Sequence, residues 1–290
     1  MRDILKASQR PLLADLARKN TLLAFDFDGT LAPIVGDRAR AGMRPETASL
    51  LARVTSAWPT AVLSGRSESD LRERFRGKGI TRLVGNHGME GNGQTPLARG
   101  WRARSRRWAA SLERRVGSID GVEIEDKGVS LSIHYRRAPS GGAARRTVED
   151  AVRALAGARI VGGKKVVNVL PEGAPDKGKA LATLLRRGRF EAGLFLGDDV
   201  TDESVFGRSF SVPVVAIRVG RNRKSRAVFY LPRQRSVDDL LRRLASLRPG
   251  GGGRPPRRET SPRLGPRREA RERGAGKRGR RLARRRGNRR

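Results

Sequence analysis

The 290-residue chain contains no cysteine, which rules out a disulfide framework, thiolate catalysis and any cysteine-held metal. Aromatic residues make up only 4%, and none falls after Pro249, so that last segment has no rings on which bases could stack. Long apolar runs are also missing. Arg2, Asp3, Lys6, Arg10, Asp15, Arg18 and Lys19 interrupt the first thirty residues, leaving no stretch resembling a signal peptide or a membrane span. A cytoplasmic protein without a membrane partner is the expectation. Acidic residues are scarce: 29 Asp and Glu face 64 Lys and Arg, for a formal net charge of +35.

That charge is uneven. The segment from Pro249 to Arg290 holds 17 Lys or Arg against 3 Glu, a net +14, which leaves +21 of the +35 on residues 1–248. The segment is Gly, Pro and Arg with almost no apolar residues. It cannot bury enough surface to offset ordering entropy, and it reads as a disordered basic tail capable of salt-sensitive, nonspecific contact with nucleic acid.

The remaining sequence has the rhythm of a doubly wound α/β protein. The apolar run that begins at Thr21 breaks into DFDGT, as a buried strand does on reaching a loop. A helix over Pro45 to Ala57, a strand over Thr60 to Arg66, a helix over Glu68 to Phe75 and the run TRLVGNHG follow. From Leu97 to Leu170 the pattern changes to an α+β module: a helix to Val116, strands VEIED and VSLSIHYR, a helix over Ala143 to Ala156, and strands ARIVG and KKVVNVL. The trio Trp101, Trp108 and Leu112 has helical spacing and reads as packing. The α/β alternation resumes with a helix over Lys177 to Arg187, strand LFLGDD, a short helix from Asp202, strand VPVVAIRV and a helix over Val237 to Leu247.

Three strand ends carry oxygen-rich residues suited to phosphate: DFDGT, LSGR and GDDVTDE. In a parallel sheet they converge on one rim. Magnesium takes oxygen ligands and keeps several waters, so Asp26, Asp28 and Asp198 suffice to hold it beside a phosphate. Asp26 and Asp28, two residues apart, are placed to divide labour between nucleophile and proton donor. Gly29 permits a sharp turn with amides facing a phosphate. Thr30, Ser64 and Gly65 complete the phosphate-binding set, and Lys177 supplies positive charge. Ser64 is equally a turn or helix-capping residue, and Asp202 equally the cap of the helix it opens.

These motifs are similar to the four signatures of the haloacid-dehalogenase superfamily, in order: DFDGT, Ser64 in LSGR, Lys177 in DKGKAL, and GDDVTDE. Within it, VGNHGME, DKGVSLSIHYR, GKKVVNVLPEGAPDKGKAL and LGDDVTDE resemble segments of the trehalose-6-phosphate phosphatases. The resemblance covers about residues 20 to 245. It implies that Asp26 is the nucleophile and Asp28 the acid and then base, with Mg²⁺ held by Asp26, the Asp28 backbone carbonyl and Asp198. Asp199 and Asp202 would orient the metal's waters or Lys177. The implied lysine is the one directly before Gly178, hence Lys177 rather than Lys179.

The implied fold is a doubly wound parallel-sheet core (1–96 and 171–248) with an inserted α+β cap (97–170), followed by the disordered tail (249–290). The implied activity is hydrolysis of trehalose 6-phosphate to trehalose and phosphate, as a step of trehalose biosynthesis. Glu125, Lys127 and Gly128 match the family's sugar-binding E-x-K-G segment. A second segment departs from the pattern: Asn168 stands where the family has Glu, and Leu170 where it has a basic residue. The uncharged Asn168 admits a different sugar phosphate as an alternative substrate. Arg66 is expected on substrate or phosphate. His87 either lines the sugar site or satisfies a loop backbone, and His134 reads as structural. A nucleic-acid protein acting through its tail is the reading from another class.

Overall fold

A computed structural model describes residues 1–80, 82–91 and 97–248; the expected disordered tail, 249–290, lies outside them. In chain order the elements are β1 (Arg2–Asp3), α1 (Arg10–Arg18), β2 (Thr21–Phe25), α2 (Pro45–Ala57), β3 (Thr60–Leu63), α3 (Glu68–Arg74) and β4 (Arg82–Val84). Then come α4 (Leu97–Val116), β5 (Glu123–Asp126), β6 (Leu131–His134), α5 (Gly141–Arg153), β7 (Ala158–Gly163) and β8 (Val166–Pro171). The last are α6 (Lys177–Arg187), β9 (Ala192–Gly197), α7 (Glu203–Phe206), β10 (Val214–Val219), β11 (Phe229–Leu231) and α8 (Ser236–Leu247). Among the described residues no helix is long and apolar enough to cross a membrane.

The larger sheet has the order β1-β11-β10-β9-β2-β3-β4, and every pair in it is parallel. Its central strands are buried on both faces. Leu23, Phe25, Val62, Leu194 and Leu196 enter one apolar cluster, while their neighbours Leu22, Ala24, Ala61, Leu63 and Phe195 enter another on the opposite face. Each fully buried Leu or Phe contributes roughly 1.5–3 kcal/mol, which accounts for continuous rather than alternating apolar runs here. Going outward from β2, one flank follows through β3 and β4 and the other begins at β9. The crevice between β2 and β9 is therefore the topological switch point, where such sheets bind ligands beyond their carboxyl ends.

The smaller sheet is antiparallel, in the order β5-β6-β8-β7. Leu131, Ile133, Val167 and Val169 face one way and pack with Trp108, Leu112 and Val116 of α4 and Val148 and Val152 of α5. Trp101 belongs instead with Met89, Val129, Leu170 and Ala174. The trio thus packs as its spacing predicts, but in two clusters. Paired residues of an antiparallel ladder share a face. The pairs Ser132 with Asn168, Ser132 with Glu125 and His134 with Val166 accordingly put polar side chains on the face opposite the helices. Both sheets lie within one compact unit.

Three elements were not anticipated: β1, α1 and β11. The two strands have two and three residues, too short for a periodic signal. Helix α1 carries Pro in its first turn and buries Leu13 and Leu16, a pattern obscured by the charged residues around it.

One glycine fixes the position of α6. A Cβ on Gly178 would lie 2.0 Å from the backbone oxygen of Ser204, so α6 approaches α7 at backbone contact. The Gly178→Ala variant is expected to lose about 1–3 kcal/mol of stability to overpacking. Equilibrium denaturant unfolding measures this, and an unchanged midpoint would contradict the packing argument.

Candidate active site

Asp26 follows the last residue of β2, and its amide donates to the carbonyl of Leu196 in β9 (2.8 Å), which places its side chain at the switch point. Asp198 follows β9 directly. Asp26, Asp198 and Asp202 are all buried and offer carboxylate oxygens within 4.8 Å of one another. Three such groups repel unless a cation intervenes. Lys177, at the first turn of α6 and 2% exposed, places its ammonium 2.9 Å from Asp26 Oδ1 and 2.7 Å from Asp202 Oδ1. Asp202 Oδ2 accepts the Asp199 amide (2.9 Å) in a reciprocal capping arrangement with Asp199, so Asp202 orients Lys177 while Asp199 starts the helical turn.

Burial shifts these groups strongly. It raises the Asp26 carboxyl well above the usual carboxylate range, with Asp202 and Asp198 adding to the effect and Lys177 opposing it. Asp198 is pushed up to about 6 by burial and by Asp202, against the pull of Lys164. Burial also raises Asp199. For Lys177, burial works against the charged form, but Asp202 and Asp26 outweigh it and the ammonium is retained.

Around this cluster lies a cavity of about 130 Å³ lined by Asp26, Asp28, Ser64, Gly65 and His87 from the parallel sheet's loops, and by Lys177, Asp198 and Asp199. Gly29 turns with φ +82°, and a Cβ there would fall 2.2 Å from Asp198 Oδ2, so the DFDGT loop closes directly against the second acidic strand end. Ser64 Oγ accepts the amide of Arg66 (3.3 Å), and the ring of His87 covers Gly65. Arg66 does not reach into this cavity. Its guanidinium grips both oxygens of Asp28 (2.7 Å each) and also Asp70 (2.8 Å). Thr30 is fully buried, is not among the residues lining this cavity, and its hydroxyl has no hydrogen-bond partner.

The antiparallel sheet completes the wall with Lys127, His134, Lys164 and Asn168. Lys127 donates to the Gly65 carbonyl (3.0 Å) and to Ser132 Oγ (2.6 Å), and Ser132 donates to Asn168 Oδ1 (2.6 Å). Asn86, with φ +47°, receives Ser130 Oγ–H at Oδ1 (2.7 Å) and donates to the Lys127 carbonyl (3.2 Å). Glu125 instead lines a neighbouring cavity of about 1090 Å³, where it meets His134 Nε2 at 2.8 Å. His134 and Arg136 line both cavities and mark their junction. His134 faces both cavities from the sheet.

Sequence reading missed Asn86, Ser130, Ser132, Arg136 and Lys164. The alternation in SLSIHYR carried a signal for Ser132 and Arg136, since both share the polar face with His134; Asn86 and Lys164 carried none.

The sequence model of the trehalose-phosphatase family matches residues 24–229, well over half of the chain. The chain belongs to the trehalose-phosphatase family. That family lies in the haloacid-dehalogenase superfamily. A trehalose-phosphate phosphatase of Mycobacterium ulcerans is 32% identical over 262 residues, covering 84% of this chain and 66% of the relative. A trehalose 6-phosphate phosphatase of Zea mays is 30% identical over 269 residues, covering 83% and 74%. The chain thus spans about two thirds of the first relative's length and about three quarters of the second's. Among solved structures, the C-terminal domain of a C. albicans trehalose-6-phosphate phosphatase superposes with a TM-score of 0.70 at 25% identity, over 82% of this chain and 96% of that one.

Trehalose-phosphatases, like their superfamily, imply a divalent cation. The residues fit one. Asp198 is 4% exposed, its Oδ1 is buried without a hydrogen-bond partner, and its carboxylate offers an oxygen within 4.8 Å of those of Asp26 and Asp202. A hard cation would satisfy Oδ1.

Without a cation the same oxygen is a liability. Because folding raises the Asp198 pKa from 3.8 to about 6, the folded state is favoured below pH 3.8 and loses that advantage as pH rises through 6. In chelator, Asp198→Asn is expected to be more stable than the parent at pH 7, by roughly 3 kcal/mol, with the gap closing below pH 4. Denaturant melts across that range measure it; equal stability at pH 7 would refute the cost assigned to this carboxylate.

Proposed function

We propose that the chain is a Mg²⁺-dependent trehalose-6-phosphate phosphatase working through an aspartyl-phosphate on Asp26. The observation that carries this reading is the position of Asp26: buried at the switch point, 2.9 Å from the Lys177 ammonium and next to a small polar cavity. Family membership and relatives named for that activity support it.

Asp26 Oδ attacks phosphorus as the bond from phosphorus to the sugar oxygen breaks, and Asp28 gives that oxygen its proton. Water then attacks the phosphorus, Asp28 takes the water's proton, and the bond to Asp26 breaks to release inorganic phosphate. Arg66 holds the Asp28 carboxylate by both oxygens, so one of them must leave the guanidinium for Asp28 to carry the proton it transfers. Ser64 and the loop at Gly65 hold phosphoryl oxygens, and Lys177 keeps Asp26 aligned. Asp26, the Asp28 carbonyl and Asp198 would hold Mg²⁺, with Asp199 and Asp202 behind them. When bound, the ion supplies positive charge beside the phosphoryl oxygens. The antiparallel sheet acts as the cap, excluding bulk water and binding the sugar through Glu125, Lys127, His87 and Asn168.

Purified protein with Mg²⁺ should release phosphate from trehalose 6-phosphate, and chelator should abolish release. Asp26→Asn is expected to lower kcat by about a thousandfold or more. A variant retaining parental kcat would end the nucleophile assignment.

A second substrate is favoured by one observation. Asn168 places an amide oxygen, not a carboxylate, at the polar face, and that oxygen is occupied by Ser132. This supports turnover of another disaccharide or monosaccharide phosphate. A phosphate-release panel decides between them: higher kcat/KM for another sugar phosphate, moved toward trehalose 6-phosphate by Asn168→Glu, supports the alternative, whereas preference for trehalose 6-phosphate in the parent removes it.

A further inference from the structure

Strands β7 and β8 are joined by a two-residue turn, Lys164 and Lys165, and the ladder runs to its last pair, Gly163 with Val166. Lys165 has φ +59° and is exposed. Lys164 differs from it. Its ammonium lies 2.9 Å from Asp198 Oδ2, although Asp198 belongs to the other sheet, 34 residues along the chain. Two further bonds tie the tip to the end of β6 in its own sheet, not to Asp198: the Lys164 carbonyl accepts the Arg136 guanidinium (3.3 Å), and the Lys165 carbonyl accepts the Tyr135 amide (3.2 Å).

The two partners are unequally committed to the pair. The Lys164 side chain is 57% exposed, so water can solvate its ammonium when it leaves; Asp198 is 4% exposed, so its carboxylate needs a positive partner from the protein or its ligands. The other oxygen, Oδ1, is buried without a hydrogen bond, and the Asp198 carboxylate offers an oxygen within 4.8 Å of those of Asp26 and Asp202. A divalent cation on Oδ1 would sit about 2 Å from it, bringing a double positive charge within a few ångströms of the ammonium. One carboxylate cannot neutralise both.

We propose that Lys164 is a tethered competitor for the divalent cation: it occupies Asp198 from the tip of the hairpin, and cation entry displaces it and frees the tip. This rests on the divalent-cation reading of the acidic cluster. It assigns Lys164 a role distinct from catalysis and from sugar binding, that of setting how tightly the ion is held and of linking ion entry to movement of the antiparallel sheet.

The test is binding of Mn²⁺ to the full chain without substrate, by calorimetry or by electron paramagnetic resonance of the free ion. Lys164→Gln is expected to lower Kd about tenfold, as a charged competitor is removed. Lys164→Arg, which keeps the charge, and Lys165→Gln, which leaves the Asp198 contact intact, should both stay within about twofold of the parent by the same argument. Hydrogen exchange at 163–166 should rise on adding Mn²⁺ to the parent and show no rise in Lys164→Gln. Unchanged or weaker binding by Lys164→Gln, with the parent binding normally, overturns the inference and leaves the cation reading standing. Absence of saturable binding in the parent and in all three variants overturns both.

Discussion

One buried ammonium, that of Lys177, lets the Asp26 and Asp202 carboxylates exist side by side. Asp26 and Asp202 are both buried and both within hydrogen-bonding distance of it, and its charge opposes the burial that pushes the Asp26 carboxyl up. The lysine reaches this point because α6 begins where the parallel sheet opens and because Gly178 allows that helix to rest on the backbone of α7. Fold and site are therefore linked through one short segment. A fixed positive charge already stands beside Asp26, and no reorganisation is needed to place it.

The other wall of the site depends on hydrogen bonds between the sheets. Asn86 and Gly65, from the parallel sheet's loops, meet Lys127 and Ser130 of the antiparallel sheet, and the chain of contacts runs on to Ser132 and Asn168. Each group has its partner in this arrangement, which is the condition under which a buried polar network gives specificity instead of strain. Gly65 lies one residue from Ser64, so the loop suited to phosphate and the face suited to a sugar are in contact through one lysine. With Asn rather than Glu at 168, that lysine meets no carboxylate on this strand, and Ser132 supplies the bridging hydroxyl instead.

Much of this is legible in the sequence. The bounds of α2, α4 and α6 fall where the periodicity places them, since each has a clear apolar stripe and, in α2, a proline at the start. The acidic strand ends were recognisable because DFDGT, LSGR, DKGKAL and GDDVTDE occur together and in order; any one of them alone reads equally as a turn or a cap. The carboxylates, Ser64 and Lys177 converge as a parallel sheet requires. What sequence could not show was partner choice. Arg66 was expected on substrate and instead grips Asp28; Thr30 was expected on phosphate and does not line the cavity; Lys164 is a turn residue by every local criterion. The Arg66 and Lys164 outcomes depend on where segments 38 and 34 residues away come to rest, which no local spacing encodes.

The contact at Gly178 also bears on how this chain can change over evolutionary time. What would collide with a side chain there is the Ser204 carbonyl, a backbone atom present whatever residue occupies 204. No exchange of side chains across the contact can compensate, so no pair of substitutions offers a neutral path away from glycine. A lineage that loses it must shift the whole of α6, and with it the lysine on which the acidic cluster relies.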